Sequence, residues 1–403
     1  MGQPERDAVS EAAVERRELS LLLAGDALIT RPWSHVRDAP FLELVETIRA
    51  ADVAITNLET LLHEFAGHAQ ADCGGISMAS PPSVAEELAW AGFDMVAHAN
   101  NHTFDYGSEA VLETIGHVER AGLVLAGSGR DLQEARAPRY FRSGGGTVGL
   151  VAMAADFIAY GQASRSRVDA PGRPGLNPLT LVTAPTVSLP ARGDERLRAF
   201  LRRLGLHRRT AAGPGFRVAG VRFRAGSRYR VAAGRRVEPE DVEGNLAAIA
   251  QAARHADVVV ASVHAHRQRW GWLRRFADRA IRYGADVVFV HGPHEIRGIE
   301  LRDGKPVFYC LGDFVFEIEH ITRFPSEEYE RLGLGEGATL EDLRAARASA
   351  DPAGLTRLRK TFEGVIALLS IAEGRITRID LLPLDLQFDA PGERRGRPQI
   401  AAA

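Results

Sequence analysis

Short apolar runs alternate with helical patterns along most of this chain, and this alternation is the feature that most limits its possible folds. The runs expected to form strands are 19–24, 53–56, 95–97, 124–126, 148–153, 258–263, 287–290, 307–311, 365–371 and 376–382. The segments with apolar residues at helical spacing are 40–50, 83–91, 108–121, 242–256 and 270–283. Strands that alternate with helices are typical of the α/β class, in which helices cover a parallel or mixed sheet.

Two segments interrupt the alternation. The first is rich in proline, glycine and arginine and is expected to be irregular, apart from a short amphipathic helix near 197–204 and a basic hairpin at 217–232. The second is polar and predicted to be helical. The expected organisation is an N-terminal tail at 1–18, one domain at 19–383 with insertions at about 160–240 and 324–361, and a C-terminal tail at 384–403.

Composition excludes several classes of protein. Two cysteines in 403 residues exclude a disulfide scaffold and a thiolate-rich zinc module. No apolar run in the N-terminal region approaches the roughly 20 residues that a membrane-spanning helix needs. The first residues are rich in Glu and Arg, unlike a signal peptide. We therefore expect a soluble, cytoplasmic protein without a transmembrane segment.

Charge is unevenly distributed, although the formal net charge is only −2. Residues 192–236 contain 14 arginines but only two acidic residues, Asp194 and Glu195. This block could meet a polyanion or a phosphate-bearing partner. The interpretation that we favour is a solvated, arginine-rich insertion, because a cluster of arginines alone is a weak signal of nucleic-acid binding, and nucleic acid is not expected as a partner.

Polar residues of the types that bind metals follow six of the predicted strands. The carboxyl ends of the strands form the ligand edge of an open α/β sheet, so these residues are expected to converge. Each one alone could be a cap, a turn residue or a surface residue, but six such strand ends together favour a common site. They are Asp26, Asn57 and Glu59, Asn100, Asn101 and His102, His264 and His266, His291 and His294, and Asp313.

Carboxylate, amide and imidazole ligands without thiolate suit Mn²⁺, Fe or Zn²⁺. The candidates suffice for two divalent ions, which together would activate a water and stabilise an oxyanion. Glu59 would suit a bridging position, and His102 could protonate a leaving group. The histidines outside this pattern are His35, His63, His68 and His320, expected at the surface, and His98, expected in the core or behind the ligands.

The order and spacing of these motifs resemble the CapA family, which is associated with poly-γ-glutamate capsule biosynthesis and belongs to the calcineurin-like metallophosphatase superfamily. The resemblance runs from about residue 19 to 383, with gaps at the two insertions. The motifs are Gly25-Asp26, Asn57-Leu58-Glu59, Asn100-Asn101-His102 with Asp105-Tyr106-Gly107, His264-Ala265-His266, His291-Gly292-Pro293-His294 and Leu311-Gly312-Asp313-Phe314.

The resemblance implies a four-layer α/β/β/α sandwich of the metallophosphatase type with a binuclear metal centre. The metal ligands that it implies are Asp26, Glu59 as the bridge, Asn101, His264, His291 and His294. The catalytic residues would be His102, as the acid near the leaving group, and Asp105. The residues expected behind the ligands or at the substrate are Asn57, Asn100, His266 and Asp313.

The chain departs from its relatives at three motif positions. Leu28 stands where the superfamily has a histidine two residues after its aspartate. His291 and His294 are separated by two residues rather than one. Asp313 replaces a common asparagine. The ligation of one metal position therefore stays open.

The leading functional hypothesis is a metal-dependent hydrolase of the phosphoesterase type that acts on an anionic small-molecule or polymer substrate. A second hypothesis is hydrolysis or transfer at an amide such as a γ-glutamyl bond, because the same activated water can attack a carbonyl. A third is a non-catalytic protein that binds a polyanion through the arginine-rich insertion.

Overall fold

The computed structural model describes residues 18–402, except 66, 72, 74–75, 204–214, 219–220, 267–269 and 352. The predicted N-terminal tail therefore lies, apart from Glu18, outside the described residues. The described helices are α1 (Ala39–Arg49), α2 (Val84–Ala91), α3 (Gly107–Arg120), α4 (Leu132–Arg136), α5 (Ala191–Arg203), α6 (Pro239–Ala252), α7 (Trp270–Arg282), α8 (Ser326–Arg331) and α9 (Leu340–Ala350).

The strands, like the helices, are distributed along the whole described chain, so the protein is a mixed α/β protein, as predicted. In chain order they are β1 (Leu19–Leu28), β2 (Val53–Leu58), β3 (Leu61–Leu62), β4 (Ala79–Ser80), β5 (Met95–Ala97), β6 (Val124–Ala126), β7 (Ser128–Gly129), β8 (Arg139–Arg142), β9 (Thr147–Ala154), β10 (Gly175–Leu176), β11 (Leu181–Leu189), β12 (Gly215–Val218), β13 (Val221–Ala225), β14 (Arg230–Val237), β15 (Val258–His264), β16 (Val287–His291), β17 (Ile299–Arg302), β18 (Lys305–Phe308), β19 (Asp313–Phe316), β20 (Glu363–Ala372), β21 (Arg375–Asp385) and β22 (Gln399–Ile400).

Two large sheets organise the fold. The first has the order β22-β21-β20-β1-β2-β5-β6, with β19 also paired to β1. The second has the order β17-β18-β16-β15-β9-β8. Strands β1, β2, β5 and β6 run parallel to one another in the first sheet, and β9, β15, β16 and β18 do so in the second. Polar residues at the carboxyl ends of parallel strands therefore gather at one edge of each sheet.

Alternation of side chains along β1 divides the buried residues between two cores. Leu21 and Leu23 belong to a core that also contains Val260 and Phe289 of the second sheet. Leu22 points to the opposite face, as expected for a strand, and belongs to a core that includes residues of α1, α2 and α3. A third core joins the second sheet to α6 and α7. Burial on both faces explains why β1 and β15 are almost continuously apolar.

The helices begin and end where their sequences allow. In α1, Pro40 lies in the first turn, where its missing N–H costs nothing, and the apolar residues at helical spacing are buried. Helix α2 ends at Gly92, whose φ of 102° lies in the left-handed region that glycine adopts without strain.

Strand β1 is longer than predicted and passes through the functional region. It continues to Leu28, so Asp26 lies within the strand and not after it. Its pairing with β2 shifts register between Leu23 and Asp26. On the other side of β1, glycine is required at position 25, because a Cβ atom there would lie 1.9 Å from the carbonyl oxygen of Gly312.

Asp313 also differs from its predicted position. The expected strand at 307–311 ends earlier, because β18 stops at Phe308. The chain then turns at Gly312, with a φ of 76°, and leaves the second sheet for the first. Asp313 is therefore the first residue of β19 and pairs with Asp26 of β1.

Two regions expected to be irregular contain regular structure. In the proline-rich stretch, β11 pairs with β14 along its length, across Pro185, and with β13 from Thr186 onward. At the C-terminus, the expected tail includes β22, which pairs with β21, and buried Leu384 and Leu386. Among the residues that the structure describes, no helix is both long and apolar enough to span a bilayer.

Candidate metal centre

Asp26 is the buried carboxylate that links the two sheets. It accepts hydrogen bonds of 2.9 Å from Asn57 Nδ2 and from the Gly292 backbone N–H. His291 Nδ1 lies 2.9 Å from Asp26 Oδ1. Burial raises the pKa of Asp26, but the hydrogen bond and the charge of His291, with His264 and His294, outweigh it and hold this pKa well below its usual range. Asp26 is therefore held as a carboxylate.

Glu59 follows β2 and is completely buried. Its Oε1 lies 3.6 Å from His264 Nε2 and 3.7 Å from His294 Nε2, beyond hydrogen-bond length. In the described part of the chain this oxygen has no hydrogen-bond partner. Burial, followed by the charge of Asp26, raises the pKa of Glu59 well above its ordinary value. A buried carboxylate oxygen without a donor is costly, and a bound cation would remove this cost.

Two groups of side chains with closely spaced ligand atoms share Glu59. Asp26, Glu59 and His294 form one group, and Glu59, His264 and His266 form the other. In each group the ligand atoms lie within 4.8 Å of one another. The donors are carboxylate and imidazole, so the residues present fit two divalent ions that share Glu59. His266, expected behind the ligands, is thus a candidate ligand, and its Nε2 lies 3.1 Å from His264 Nε2.

The other two expected ligands lie beside these groups. His291 ends β16 and is buried, with Nδ1 against Asp26, and its Nε2 makes no hydrogen bond among the described residues. Asn101 lines the cavity that opens onto these groups, and its buried Oδ1 has no hydrogen-bond partner among the described residues. Both side chains are available to an ion, although neither is required by the two groups.

His294 is oriented by Asp313. Its φ of 51° is unusual for a residue other than glycine, and its Nδ1 lies 2.8 Å from Asp313 Oδ1. Burial lowers the pKa of His294, but the charges of Asp313 and Glu59 outweigh it and raise this pKa to about 10. The contact directs Nε2 toward Glu59, as carboxylates commonly do for histidines that bind metals, so His294 is a candidate ligand.

Replacing Asp313 with alanine is expected to lower the affinity for Mn²⁺ by roughly 10–100-fold, because His294 loses the group that orients it. Titration calorimetry would measure the change. Asp313→Asn keeps an acceptor oxygen and should lose less, and Asp389→Ala, at an exposed aspartate, should lose nothing. Equal affinities for Asp313→Ala and the wild type would contradict this role.

His102 and Asp105 form a buried pair beyond β5. His102 Nδ1 lies 2.7 Å from Asp105 Oδ2, which also accepts a 2.7 Å hydrogen bond from the Met78 N–H. Burial lowers the pKa of His102 to about 3 and raises that of Asp105 well above its ordinary value. Both pKa shifts favour the uncharged forms, neutral His102 and protonated Asp105. Asp105 can therefore supply a proton to His102 Nδ1 when His102 gives one up.

Two asparagines connect this pair to Asp26 and Glu59 through hydrogen bonds. The Asn100 amide donates to Asn57 Oδ1 at 3.2 Å and to the Leu58 carbonyl at 2.8 Å. Asn100 Oδ1 accepts a 3.1 Å bond from the His102 N–H. Asn57 donates to Asp26 and, at 3.3 Å, to Glu59. The sequence predicted both asparagines near the site, and here they connect β2 to the turn that carries His102.

A cavity of about 550 Å³ opens onto this cluster. Asn101, His102, His266 and His294 line its inner end. The remaining lining residues are Ile76, Ile318, Glu319, Phe324, Arg344, Arg347, Ala348, Asp351, Gly354, Leu355 and Thr356. Most of these belong to the second insertion, and none of the described lining residues comes from the arginine-rich insertion, which forms the sheet β12-β13-β11-β14.

Sequence reasoning missed some of these residues. Arg344 and Arg347 lie three positions apart on α9, and only an interpretation of the second insertion as a cavity wall could have selected them.

His63 was expected at the surface, which is wrong. It is buried, with its ring 4.5 Å from that of Tyr106. Burial lowers its pKa to about 4. The apolar pair Leu61–Leu62 just before it was the available signal.

The fold and the site together define an α/β protein with a buried carboxylate–histidine cluster, and comparison with known families agrees with the motifs. Residues 20–318 match the family described as bacterial capsule synthesis protein PGA_cap. The chain belongs to this family.

Several known proteins are similar to the chain at low identity. An uncharacterized protein y4sH of Sinorhizobium fredii is 28% identical over 95% of this chain and 86% of its own length. The PGA biosynthesis protein CapA of Bacillus subtilis is 25% identical over 74% and 63%. A probable polyglutamine synthesis accessory protein of Mycobacterium tuberculosis is 26% identical over 68% and 57%. The chain thus spans less than two thirds of the last two.

Proposed function

We propose that this protein is a metal-dependent hydrolase of the metallophosphatase type, which cleaves an anionic substrate of the phosphoester class at a binuclear centre. The observation that carries the proposal is Glu59, a buried carboxylate that belongs to both groups of candidate ligands. A structural role alone would not explain an oxygen without a donor between two histidines. The cavity that ends at the same cluster gives a substrate access to it.

The proposal includes the architecture. The arrangement that fits the three cores is a four-layer α/β/β/α sandwich, with one core between the large sheets and one between each sheet and its helices. In such a fold the two groups of ligands lie where the carboxyl ends of both sheets meet. Asp26 and Glu59 come from the first sheet, and His264 and the turn after His291 come from the second.

Each residue has a distinct part in the proposed reaction. Two divalent ions, Mn, Fe or Zn, would lower the pKa of a water and offset the negative charge of the substrate. Asp26, Glu59, His264, His266 and His294 would hold them, with His291 and Asn101 as further candidates. Asp313 would orient His294. His102 would protonate the leaving group, and Asp105 would replace that proton through Nδ1.

A second candidate is hydrolysis or transfer at a γ-glutamyl amide. The observation that favours it is the naming of the relatives, which links CapA and the accessory protein to PGA and polyglutamine synthesis. A role in capsule biosynthesis would follow for this chain. The same residues would serve, because an activated water attacks a carbonyl as well as a phosphorus centre.

The test is metal analysis of the purified protein, followed by parallel assays on aryl phosphates and γ-glutamyl peptides. We expect bound divalent metal and turnover of the phosphates. Turnover of the peptides alone would replace the first candidate by the second. Protein that gains no metal on soaking and turns over neither class would be a non-catalytic binder, and the proposal would fail.

Metal affinity should rise with pH between 6 and 8. In the metal-free protein the pKa of His294 is about 10 and that of Glu59 is raised, so both groups tend to hold protons that a metal must displace. Each displaced proton contributes about tenfold in affinity per pH unit below the folded pKa. Calorimetric titration with Mn²⁺ would measure the slope, which Glu59→Gln should reduce. An affinity independent of pH would contradict the expectation.

A further inference from the structure

Two arginines of α9 lie in the cavity wall that faces the candidate metal ligands. They differ in whether an acidic side chain forms an ion pair with them. Arg344, Arg347 and Ala348 lie at helical spacing on one face of α9. Arg347 Nη1 donates to Glu328 Oε2 at 2.9 Å, and Arg331 binds the same carboxylate, which is 1% exposed. The guanidinium of Arg347 is therefore already engaged in an ion pair within the protein, although Glu328 shares its single charge between two arginines.

Arg344 makes no comparable ion pair with another described residue. Its Nη2 donates to the backbone carbonyl of Ile321 at 3.2 Å, which holds the side chain without neutralising it. Across the described ranges, no carboxylate lies within ion-pair distance of its guanidinium. A guanidinium has five N–H donors, and this hydrogen bond uses one of them. Donors and positive charge thus remain available at the cavity.

The acidic residues of the cavity do not cancel this charge directly. Glu319 is engaged by Arg395, with 2.7 Å between Oε2 and Nε. Asp351 is exposed and lies just beyond the C-terminus of α9, seven residues from Arg344, or roughly 10 Å along a helix. An anionic group would therefore be attracted to the Arg344 end of the wall and repelled from the Asp351 end.

The cavity is also larger than the reacting group of a small anion requires. Its volume of about 550 Å³ falls within the range of pockets that hold drug-sized ligands. Ile76, Ile318, Phe324 and Leu355 provide apolar lining between the charged groups. This lining would accommodate the uncharged part of a substrate that extends from the metal ligands to α9.

We propose that Arg344 is a specificity-determining residue that binds a second anionic group, a carboxylate or a phosphate, of a substrate whose reacting group lies at the metal centre. The inference rests on the proposed function for the location of the reacting group. It assigns the substrate class as molecules with two separated anionic groups. Planar, bidentate recognition of such groups is typical of arginine.

Binding of two matched series of probes to the Mn²⁺-loaded protein tests the proposal. One series is ω-phosphonoalkanoates of three to eight carbons, and the other is alkylphosphonates of the same lengths. We expect at least one phosphonoalkanoate to bind about tenfold more tightly than its uncharged counterpart, since a hydrogen bond to a charged group is lost in the latter. Arg344→Gln should abolish this difference and leave the affinity for alkylphosphonates unchanged.

Two further variants provide the controls. Arg357→Gln removes an exposed arginine near the same wall that does not line the cavity, and it should keep the full difference. Asp351→Asn should keep or increase it. Equal binding of the two series, or an undiminished difference in Arg344→Gln, would overturn the inference. Phosphonate binding that does not depend on Mn²⁺ would instead overturn the proposed metal centre.

Discussion

Replacing Glu59 with glutamine is expected to reduce both turnover and metal binding strongly. Glu59 lies between His264 and His294 and belongs to both candidate metal positions. Loss of a residue that merely orients a ligand typically costs about 10–100-fold, so loss of a ligand shared by two ions should cost at least about 100-fold in kcat/KM.

In the metal-free protein, Glu59→Gln should preserve or raise the stability of the fold, although it lowers turnover and metal binding. Burial, with the nearby carboxylate of Asp26, raises the pKa of Glu59, so ionised Glu59 destabilises the fold as pH rises above the pKa of the unfolded chain. Neutral glutamine removes that cost, and metal-free Glu59→Gln should unfold at the same or a higher temperature than the wild type. Mn²⁺ at about one hundred times its Kd for the wild type should add about 2.7 kcal/mol to the free energy of unfolding of the wild type. The same Mn²⁺ concentration should add much less to that of the variant.

Thermal unfolding with and without Mn²⁺, combined with metal analysis, would measure both effects. Glu64→Gln is the matched control, because Glu64 is exposed and lies only a short distance along the chain. A variant of Glu59 that binds and is stabilised by Mn²⁺ as well as the wild type would remove the basis of the binuclear proposal.

Replacing His102 with glutamine should give the second large effect, and its size should depend on the leaving group. General acid catalysis contributes about 10²–10⁴-fold, so phosphoesters with strongly basic leaving groups should lose this much in kcat. p-Nitrophenyl phosphate should lose much less, because p-nitrophenolate leaves without a proton. Metal content should not change, since His102 belongs to neither group of candidate ligands.

Kinetics on a series of aryl and alkyl phosphates would measure this dependence. Asp105→Asn should show the same trend with a smaller loss, because it disturbs the group that supports His102 Nδ1. His68→Gln, at an exposed histidine, is the control. An equal loss on every substrate, accompanied by loss of metal, would identify His102 as a ligand and not as an acid.

Much of the arrangement around these residues could be predicted from the sequence because it depends on local patterns. Apolar runs placed most strands, and the polar residues after them were expected at a shared edge. The α/β class follows from these patterns, and the closeness of Glu59 to His264 and His294 agrees with the expected gathering of polar residues near strand ends. Such patterns are short, and they are read within single elements of secondary structure.

Features that depend on contacts between distant segments could not be predicted. The position of Asp313 at the start of β19 requires that the chain change sheets at Gly312, which no local pattern indicates. The burial of His63 depends on packing against Tyr106. The cavity wall formed by α9 depends on the interaction of Glu328 with Arg347 and with the Ser77 N–H, 251 residues earlier in the chain.

The position of β1 has a consequence for how the chain reaches its native state. This first described strand lies in the interior of its sheet, with β2 on one side and β20, from the far end of the chain, on the other. During synthesis the leucine-rich edge of β1 would stay without its antiparallel neighbour until β20, more than 300 residues later, has emerged from the ribosome. Such long-range pairing slows folding and leaves an unpaired strand edge exposed meanwhile, which favours aggregation of the nascent protein until β20 pairs with β1.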